Sequence, residues 1–330
     1  MSKNLNVQDA RLRLEQLKEG HLPPKETPIL DNPMYVKAYA NFMRYGTPCG
    51  TLREGTDSAG GFLVPDEFEK KIVSALEEKN VLRGLAKVIT THNTVKIPKA
   101  VGDGHAYWVP EEGPYPETST AFDQIVLGAH KLGTMICLSD EMLEDSTFDI
   151  EGFIAKIFAE RLATTEEDGF LYGDGNSKPL GLMHQIEKTI TTENAGEITL
   201  GDLVDLQHCI PTQYRNNAVF LMSDATFRDL YKTKSAFERN IWEGDYTKAR
   251  PLKLLGRRVI ICNAMDAAGD ELPKILYGDF SQYVIGDREH RSVKRLNEVY
   301  ARHGMVGFMV TQRVDAVLMD KKAIAGLKMR

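Results

Sequence analysis

The segment Lys99–Ala121, KAVGDGHAYWVPEEGPYPETSTA, constrains this chain more than any other. Two runs of strand composition flank it, KVITTHNTVKIP from Lys87 and FDQIVLGAHKLGTMICLS ending at Ser139. Both are rich in β-branched residues, while the segment between them holds too many prolines and glycines to pack as a core element. Structureless connections longer than about 12–15 residues are uncommon inside a compact domain. The reading is therefore an extended hairpin from Lys87 to Ser139, whose polar tip projects and meets something outside its own core. Trp108 lies on that tip and reads equally as a buried aromatic or as an anchor on a partner. Glu111 and Glu112 follow it, as solvated charges or as further contacts.

A long helix comes next. In DIEGFIAKIFAERLATTEEDGFLY, Asp149 to Tyr172, the residues Ile150, Phe153, Ile154, Ile157, Phe158 and Leu162 fall at the 3–4 spacing of one helix face. Ser146 with Asp149 fits a capping box, Gly173 a stop, and the length corresponds to about 33 Å. The stretch FLYGDGNSKPLGL, Phe170 to Leu182, has the composition of a phosphate-binding loop. Its position argues otherwise. Phosphate loops precede a helix and use its positive end, whereas this one follows a helix, at the negative end of the dipole. It matches neither GxGxxG nor GxxxxGK[ST], so it reads as a turn forced by Pro179 and Gly181.

Composition narrows the classes further. With 330 residues, 42% apolar and 27% charged, the chain can bury a substantial core in one large or two ordinary domains. No apolar run approaches the roughly 20 residues of a membrane span, and the polar N-terminus carries no signal core; the expectation is a cytosolic protein or one released from the cytosol. Cys49, Cys137, Cys209 and Cys262 are widely spaced and read as buried free thiols. A net charge of −6 argues against binding nucleic acid by neutralising phosphates. The eight histidines form no HExxH or HxH pair, and no GxSxG elbow occurs. The carboxylates of LSDEMLEDS, Leu138 to Ser146, are explained by a helix start, with Ser139 or Asp140 as cap and Glu141 in the first turn. No metal, cofactor or catalytic site is expected.

The remaining chain sorts by pattern. Residues 1–56 read as an extension outside the core: VQDARLRLEQLKE is marginally helical, HLPPKETPILDNP holds four prolines, and MYVKAYANFMRYG is a second helix stopped by Gly46. In SAGGFLVPDEFEKKIVSALEEKNVLRGLAK, Gly60 and Gly61 permit an unusual turn or an ordinary linker. Pro65 opens a helix there, Phe68, Ile72, Ala75 and Leu76 share a face, and Gly84 ends it. From about 176 to 286 helix and strand signals alternate: TLGDLVDLQHCI with Thr199 and Asp202 as capping box, AVFLMS, DATFRDLYKTK, RRVIICNAM and PKILYGDF. RSVKRLNEVYARHGMVGFMVTQRVDAVLM reads as a hairpin with Arg302, His303 and Gly304 at its turn.

The ordered set AGGFLVP, a projecting hairpin bearing AYWVPEEG, LSDEMLEDS before a long helix, and FLYGDGNSKPLGL closely resembles the major capsid proteins of tailed bacteriophages of the Hong Kong 97 type, from about Ser58 to Arg330. That resemblance implies an α+β, Hong Kong 97-like fold. Residues 57–86 correspond to an N-terminal arm, 87–139 to the extended loop, 140–175 to a peripheral domain with its spine helix and 176–286 to an axial domain. Residues 287–314 then correspond to peripheral strands and 315–330 to a return to the axial domain, with 1–56 as a short scaffold-like or cleaved extension. It implies self-assembly through pentamers and hexamers into an icosahedral head around double-stranded DNA, made in the host cytoplasm and found in the virion. Scaffold, maturation protease and portal would be partners, DNA a non-specific neighbour, and no membrane or enzymatic activity is implied. Expected assembly contacts are Gly60, Gly61, Lys99, Trp108, Glu111, Glu112, and Arg302 with His303 towards three-fold axes. The family's type member welds a loop lysine to a neighbour's asparagine; Lys96 and Lys99 lie near the loop, but YARHG has no asparagine and Asn297 sits short of it, so no cross-link is expected. A hundred-residue scaffolding segment is also common in the family, against some fifty residues here. Two readings compete: a bacterial nanocompartment shell, which shares the fold but encloses enzyme cargo, and an enzyme using the 173–181 loop.

Overall fold

A computed structural model describes residues 32–46, 64–101, 107–109, 121–144, 149–232, 242–243, 253–267, 271–288 and 291–330. Along them run α1 (Pro33–Tyr45), α2 (Asp66–Lys79), α3 (Val81–Leu85), β1 (Lys87–Thr91), β2 (Val95–Val101), β3 (Ala121–Leu127), β4 (His130–Ser139), α4 (Asp140–Glu144) and α5 (Ile150–Tyr172). There follow α6 (Leu182–Gln185), β5 (Lys188–Thr191), α7 (Leu200–Cys209), α8 (Thr212–Arg215), β6 (Val219–Met222), α9 (Asp224–Lys232), β7 (Trp242–Glu243), β8 (Lys253–Leu254) and β9 (Arg257–Ile261). The last elements are β10 (Ile275–Gly278), β11 (Tyr283–Arg288), β12 (Ser292–Leu296), β13 (Met305–Leu318) and β14 (Ile324–Lys328).

The long helix α5 carries 23 residues; Ile154, Phe158 and Leu162 are buried at four-residue spacing along it, and Phe170 is buried eight residues further on. Its start differs from expectation: Ser146 lies outside the described residues, and Asp149 alone is the cap, accepting from the Gly152 N–H at 3.0 Å. Gly173 ends the helix, but not through a left-handed backbone, since its φ is −56°. A Cβ there would collide with the Pro179 carbonyl, so glycine is needed for the chain to fold back on itself.

One face of α5 rests on a five-stranded sheet built around β13. β4 runs antiparallel along one edge of β13, from Met305 opposite Ser139 to Val314 opposite His130. β12 and then β11 line the other edge, also antiparallel, and β1 adds to β11 in parallel. Alternation is visible along β4: Ile136 and Leu138 point into the core while Met135 and Cys137 are exposed. The inward set meets Phe158, Leu162, Phe308 and Val310 in one apolar cluster. Burying each of the larger side chains contributes about 1.5–3 kcal/mol.

The seven-stranded sheet has the order β5-β14-β10-β6-β9-β8-β7. Its centre is buried on both faces, so β6 reads VFLM without alternation. Val219 and Leu221 feed the cluster shared with the end of α5 and with β11, while Phe220 and Met222 feed a second cluster under α7 and α9. The Thr199–Asp202 capping box is present at the start of α7. The changeover between sheets falls near Asp279 and again at 319–323. Tyr283–Arg288, grouped in part with the alternating unit from the sequence, is instead a strand of the five-stranded sheet, and Ile324–Lys328 pairs between β5 and β10.

Four expectations need correction. The extended hairpin is shorter than Lys87–Ser139: only β2 and β3 pair with each other, from Val95 opposite Leu127 to Val101 opposite Ala121. Its presumed stems, β1 and β4, each pair elsewhere, because a bend at His92–Thr94 and another at Gly128–Ala129 turn the chain out of the sheet. Second, α1 is not outside the core. Tyr35, Tyr39 and Met43 are buried at four-residue spacing against Phe68 and the α5 cluster, and Arg295 caps the helix end through the Met43 carbonyl at 3.1 Å. Third, α2 stops at Asn80 rather than at Gly84, which falls inside α3. Fourth, of the thiols described, only Cys262 is fully buried and Cys137 is exposed.

Candidate functional site

Two places in the molecule combine residues from distant elements. The first is a buried charge joint beneath α5. Arg83 on α3 forms a fork on Glu166 of α5, with Nε–Oε2 at 2.7 Å and Nη2–Oε1 at 2.8 Å. Its remaining donors reach Asp287 of β11 at 2.8 and 2.9 Å. Asp287 also takes Arg291 at 3.1 Å, and Arg291 continues to Glu69 of α2 and Gln312 of β13. Gln312 closes the ring by donating to Glu166. Arg83 and Glu166 have 1% and 0% of their side-chain surface exposed, so the pair holds only because every donor and acceptor is matched.

The electrostatics follow from that matching. Burial alone would lower the Arg83 pKa, but the bonds to Asp287 and Glu166 hold it above the ordinary arginine value. Burial would likewise raise Asp287, yet Arg83 and Arg291 keep its carboxyl below the usual range. Glu167, next on α5, accepts the Val81 N–H at 2.8 Å and is raised, chiefly by burial. It lies beside Cys262, whose thiol is pushed up to about 12 by burial first and by Glu167 second. This thiol is inert.

The second place is the β2–β3 hairpin. Its base is fixed firmly. Leu127 is fully buried over Gly286, and the Gly128 N–H donates to Asp315 at 2.6 Å. Lys99 bonds the Met319 carbonyl at 2.8 Å and lies 3.8 Å from Asp320, which in turn accepts from the Tyr214 hydroxyl at 2.6 Å. Other side chains of this region stand in solvent: Val126 is exposed, and Tyr107 and Trp108 are 58% and 104% exposed. Trp108 is therefore not a buried aromatic of its own chain.

The structure brings few of the expected contact residues together. Gly60, Gly61, Glu111 and Glu112 lie outside the described residues. Lys99 is engaged by its own chain, as is Asn297, which accepts from Arg295. Arg302 and His303 are exposed on a short 3-10 turn between β12 and β13, closed by Gly304 at φ +61°. The charge joint was missed, although one signal for it was present. Glu166 sits midway between Leu162 and Phe170 on the apolar ladder of α5, where a carboxylate demands a buried partner. Among the described residues no cluster of His, Cys, Asp or Glu could hold a metal ion, and no helix is long and apolar enough to cross a membrane.

Comparison with known proteins places this architecture. The chain of the capsid of a native GTA particle superposes with a TM-score of 0.68 at 28% identity, covering 76% of this chain and 90% of that one. The capsid chain of Mycobacterium phage Ogopogo, at 12% identity, shares the fold over 88% of this chain and 99% of its own, with a TM-score of 0.54. In sequence, the major capsid protein of Halomonas phage phiHAP-1 is 29% identical over 143 residues, and that of Escherichia phage T5 is 25% identical over 138. These matches cover 41% and 40% of this chain, but the chain spans only 24% and 29% of those two relatives. The family profile described as the phage capsid family matches residues 60–329. With its Hong Kong 97-like α+β architecture, the chain belongs to the phage capsid family.

Proposed function

We propose that this chain is the major capsid protein of a tailed phage or prophage, whose copies associate through pentamers and hexamers into an icosahedral shell around double-stranded DNA. The observation that carries this reading is the 28% identical capsid chain of the GTA particle, matched over 90% of its length. The hairpin supports it: a ribbon with Tyr107 and Trp108 in solvent is an unfinished structure in a lone chain, and neighbours would complete it. The family match favours this over a nanocompartment shell. The fold divides accordingly into an arm (57–86), an extended loop, a peripheral part on the five-stranded sheet and an axial part on the seven-stranded sheet. The hairpin turn at Arg302 and His303 faces neighbours.

The role is structural and not enzymatic. Scaffold, maturation protease and portal are partners of assembly, which takes place in the host cytoplasm, and the finished protein resides in the virion. Lys99 spent on Met319 and Asn297 spent on Arg295 favour a shell held without covalent welds. A charge of −6 per copy suits a lining that lets packaged DNA slide. Repulsion between such copies predicts faster assembly as salt rises, and slower assembly would contradict the electrostatic account. Light scattering with electron microscopy of the purified chain tests the function: closed particles of uniform diameter are expected, and small two-fold dimers carrying a bound ligand would refute it.

A further inference from the structure

Helix α1 is built as a docked element with two faces. Tyr35, Ala38, Tyr39 and Met43 are buried on one side, while Met34 and Tyr45 are 69% and 57% exposed. The buried set falls at 3–4 spacing and joins Phe68 of α2, Leu143 of α4, Ile154 of α5 and Val306 of β13 in one apolar cluster. The Tyr39 and Phe68 rings stand 6.0 Å apart, centroid to centroid. Both helix ends are closed. The Asn32 side chain accepts from the Met34 N–H at 2.9 Å, with Pro33 in the first turn, and Gly46 at φ +70° donates its N–H to the Phe42 carbonyl. Arg295 of β12 reaches the Met43 and Arg44 carbonyls at 3.1 and 3.4 Å, and its guanidinium lies over the Phe308 ring at 6.0 Å. A Cβ at Gly46 would strike that arginine, so helix end and strand are fitted to each other.

A helix of 13 residues is marginal alone in water, so α1 draws its order from this seat. Taking it away would bare the apolar side chains beneath it, a patch that a soluble subunit does not tolerate. The helix is closed at Asn32 by its own cap, and the contacts that seat it are made by residues 32–46 themselves. We infer, building on the capsid reading with its maturation protease, that the removable part of the extension ends ahead of Asn32 and that α1 stays in the mature subunit. Residues 1–56 then divide in two: 1–31 can be cut away without opening the core, whereas 32–46 belong to the core of the five-stranded sheet. The seat is made by packing and by Arg295, so it holds whether or not the 17 residues between Gly46 and Val64 are intact. A cut among them leaves α1 in place as a separate peptide.

Limited digestion of the unassembled full chain with subtilisin, read by gel filtration and mass spectrometry, tests this. Residues 33–45 are expected to elute with the core for as long as residues 150–172 of α5 do, also where the chain has been cut between Gly46 and Val64. Loss of 33–45 while α5 is still whole overturns the inference. Two shortened chains give a second reading by urea unfolding. Removing residues 1–31 leaves the midpoint where it is in the full chain, and removing 1–46 lowers it by about 1 M or more, or leaves no soluble protein. A chain without 1–46 that unfolds at the full chain's midpoint, or a chain without 1–31 that does not fold, overturns the inference. Closed shells whose subunits lack 33–45 overturn it too, while leaving the capsid function intact. Full-length protein that stays monomeric at every concentration and salt overturns the capsid reading on which it rests.

Discussion

Around Arg83 every buried charge finds its counter-charge within the same chain, whereas at the β2–β3 hairpin Val126, Tyr107 and Trp108 stand exposed. The two regions are only a few residues apart in sequence, joined by β1, yet they follow opposite rules. In the joint, α2, α3, α5, β11 and β13 converge on two arginines, three carboxylates and a glutamine. That network is complete in a lone subunit and fixes how α2, α3 and α5 meet the five-stranded sheet. Among its described residues the hairpin is anchored by Leu127, Gly128 and Lys99, and the capsid reading gives its exposed surface to neighbouring copies. On the capsid reading, the first kind of interaction serves folding and the second serves assembly.

Breaking the joint has the largest expected effect. Arg83→Met removes the forked guanidinium from Glu166 and Asp287, leaving them Gln312 and Arg291, and destabilises the subunit by about 3–5 kcal/mol, measured by urea unfolding of unassembled protein. The mirror experiment is Trp108→Ala, which leaves unfolding within about 0.5 kcal/mol of the native chain. If the two variants unfolded alike, the division between joint and hairpin would fail.

Strong acid should loosen the joint. The Asp287 carboxyl titrates below its ordinary value in the fold, so its contribution is present above the unfolded pKa of about 3.9 and is lost as pH falls through the lower folded value. Asp287→Asn should flatten stability against pH in that acid range. Glu167, raised by burial, acts in the opposite sense and at higher pH: stability rises as pH falls through its raised value towards the unfolded value of about 4.3, and Glu167→Gln should remove that rise. A smaller effect is expected at Tyr39, whose buried hydroxyl has no hydrogen-bond partner among the described residues. Tyr39→Phe removes that cost and should stabilise by about 1 kcal/mol. Lys99→Met frees one partly exposed contact of the hairpin and should cost less than about 1 kcal/mol in unfolding.

What the sequence disclosed was local. The α5 ladder, the Thr199–Asp202 box, the Ser139 cap of α4 and the Gly304 turn are each written within a few residues, and each stands in the structure. Long-range pairing was not disclosed. Nothing near Arg83 points to Asp287, 204 positions away, and nothing in β1 announces a parallel partner in β11. The extended hairpin was overdrawn because β1 and β4 have the composition of its strands, while their partners lie in β11 and β13. The α1 helix was placed outside the core because prolines surround it. Its Tyr35–Tyr39–Met43 ladder, the same signal that marked α5, outweighs them. The exposure of Trp108 was beyond sequence, since a tryptophan in a polar segment fits either side of a surface.

Amide hydrogen exchange on the unassembled subunit and on the assembled particle compares both regions in one experiment. The account predicts that amides of α3 and of α5 around Glu166 are equally protected in the two states, while those of β2, β3 and Tyr107–Val109 gain protection only in the particle. Equal protection of the hairpin in both states, or exchange of the hairpin in the particle as fast as in the subunit, would contradict it.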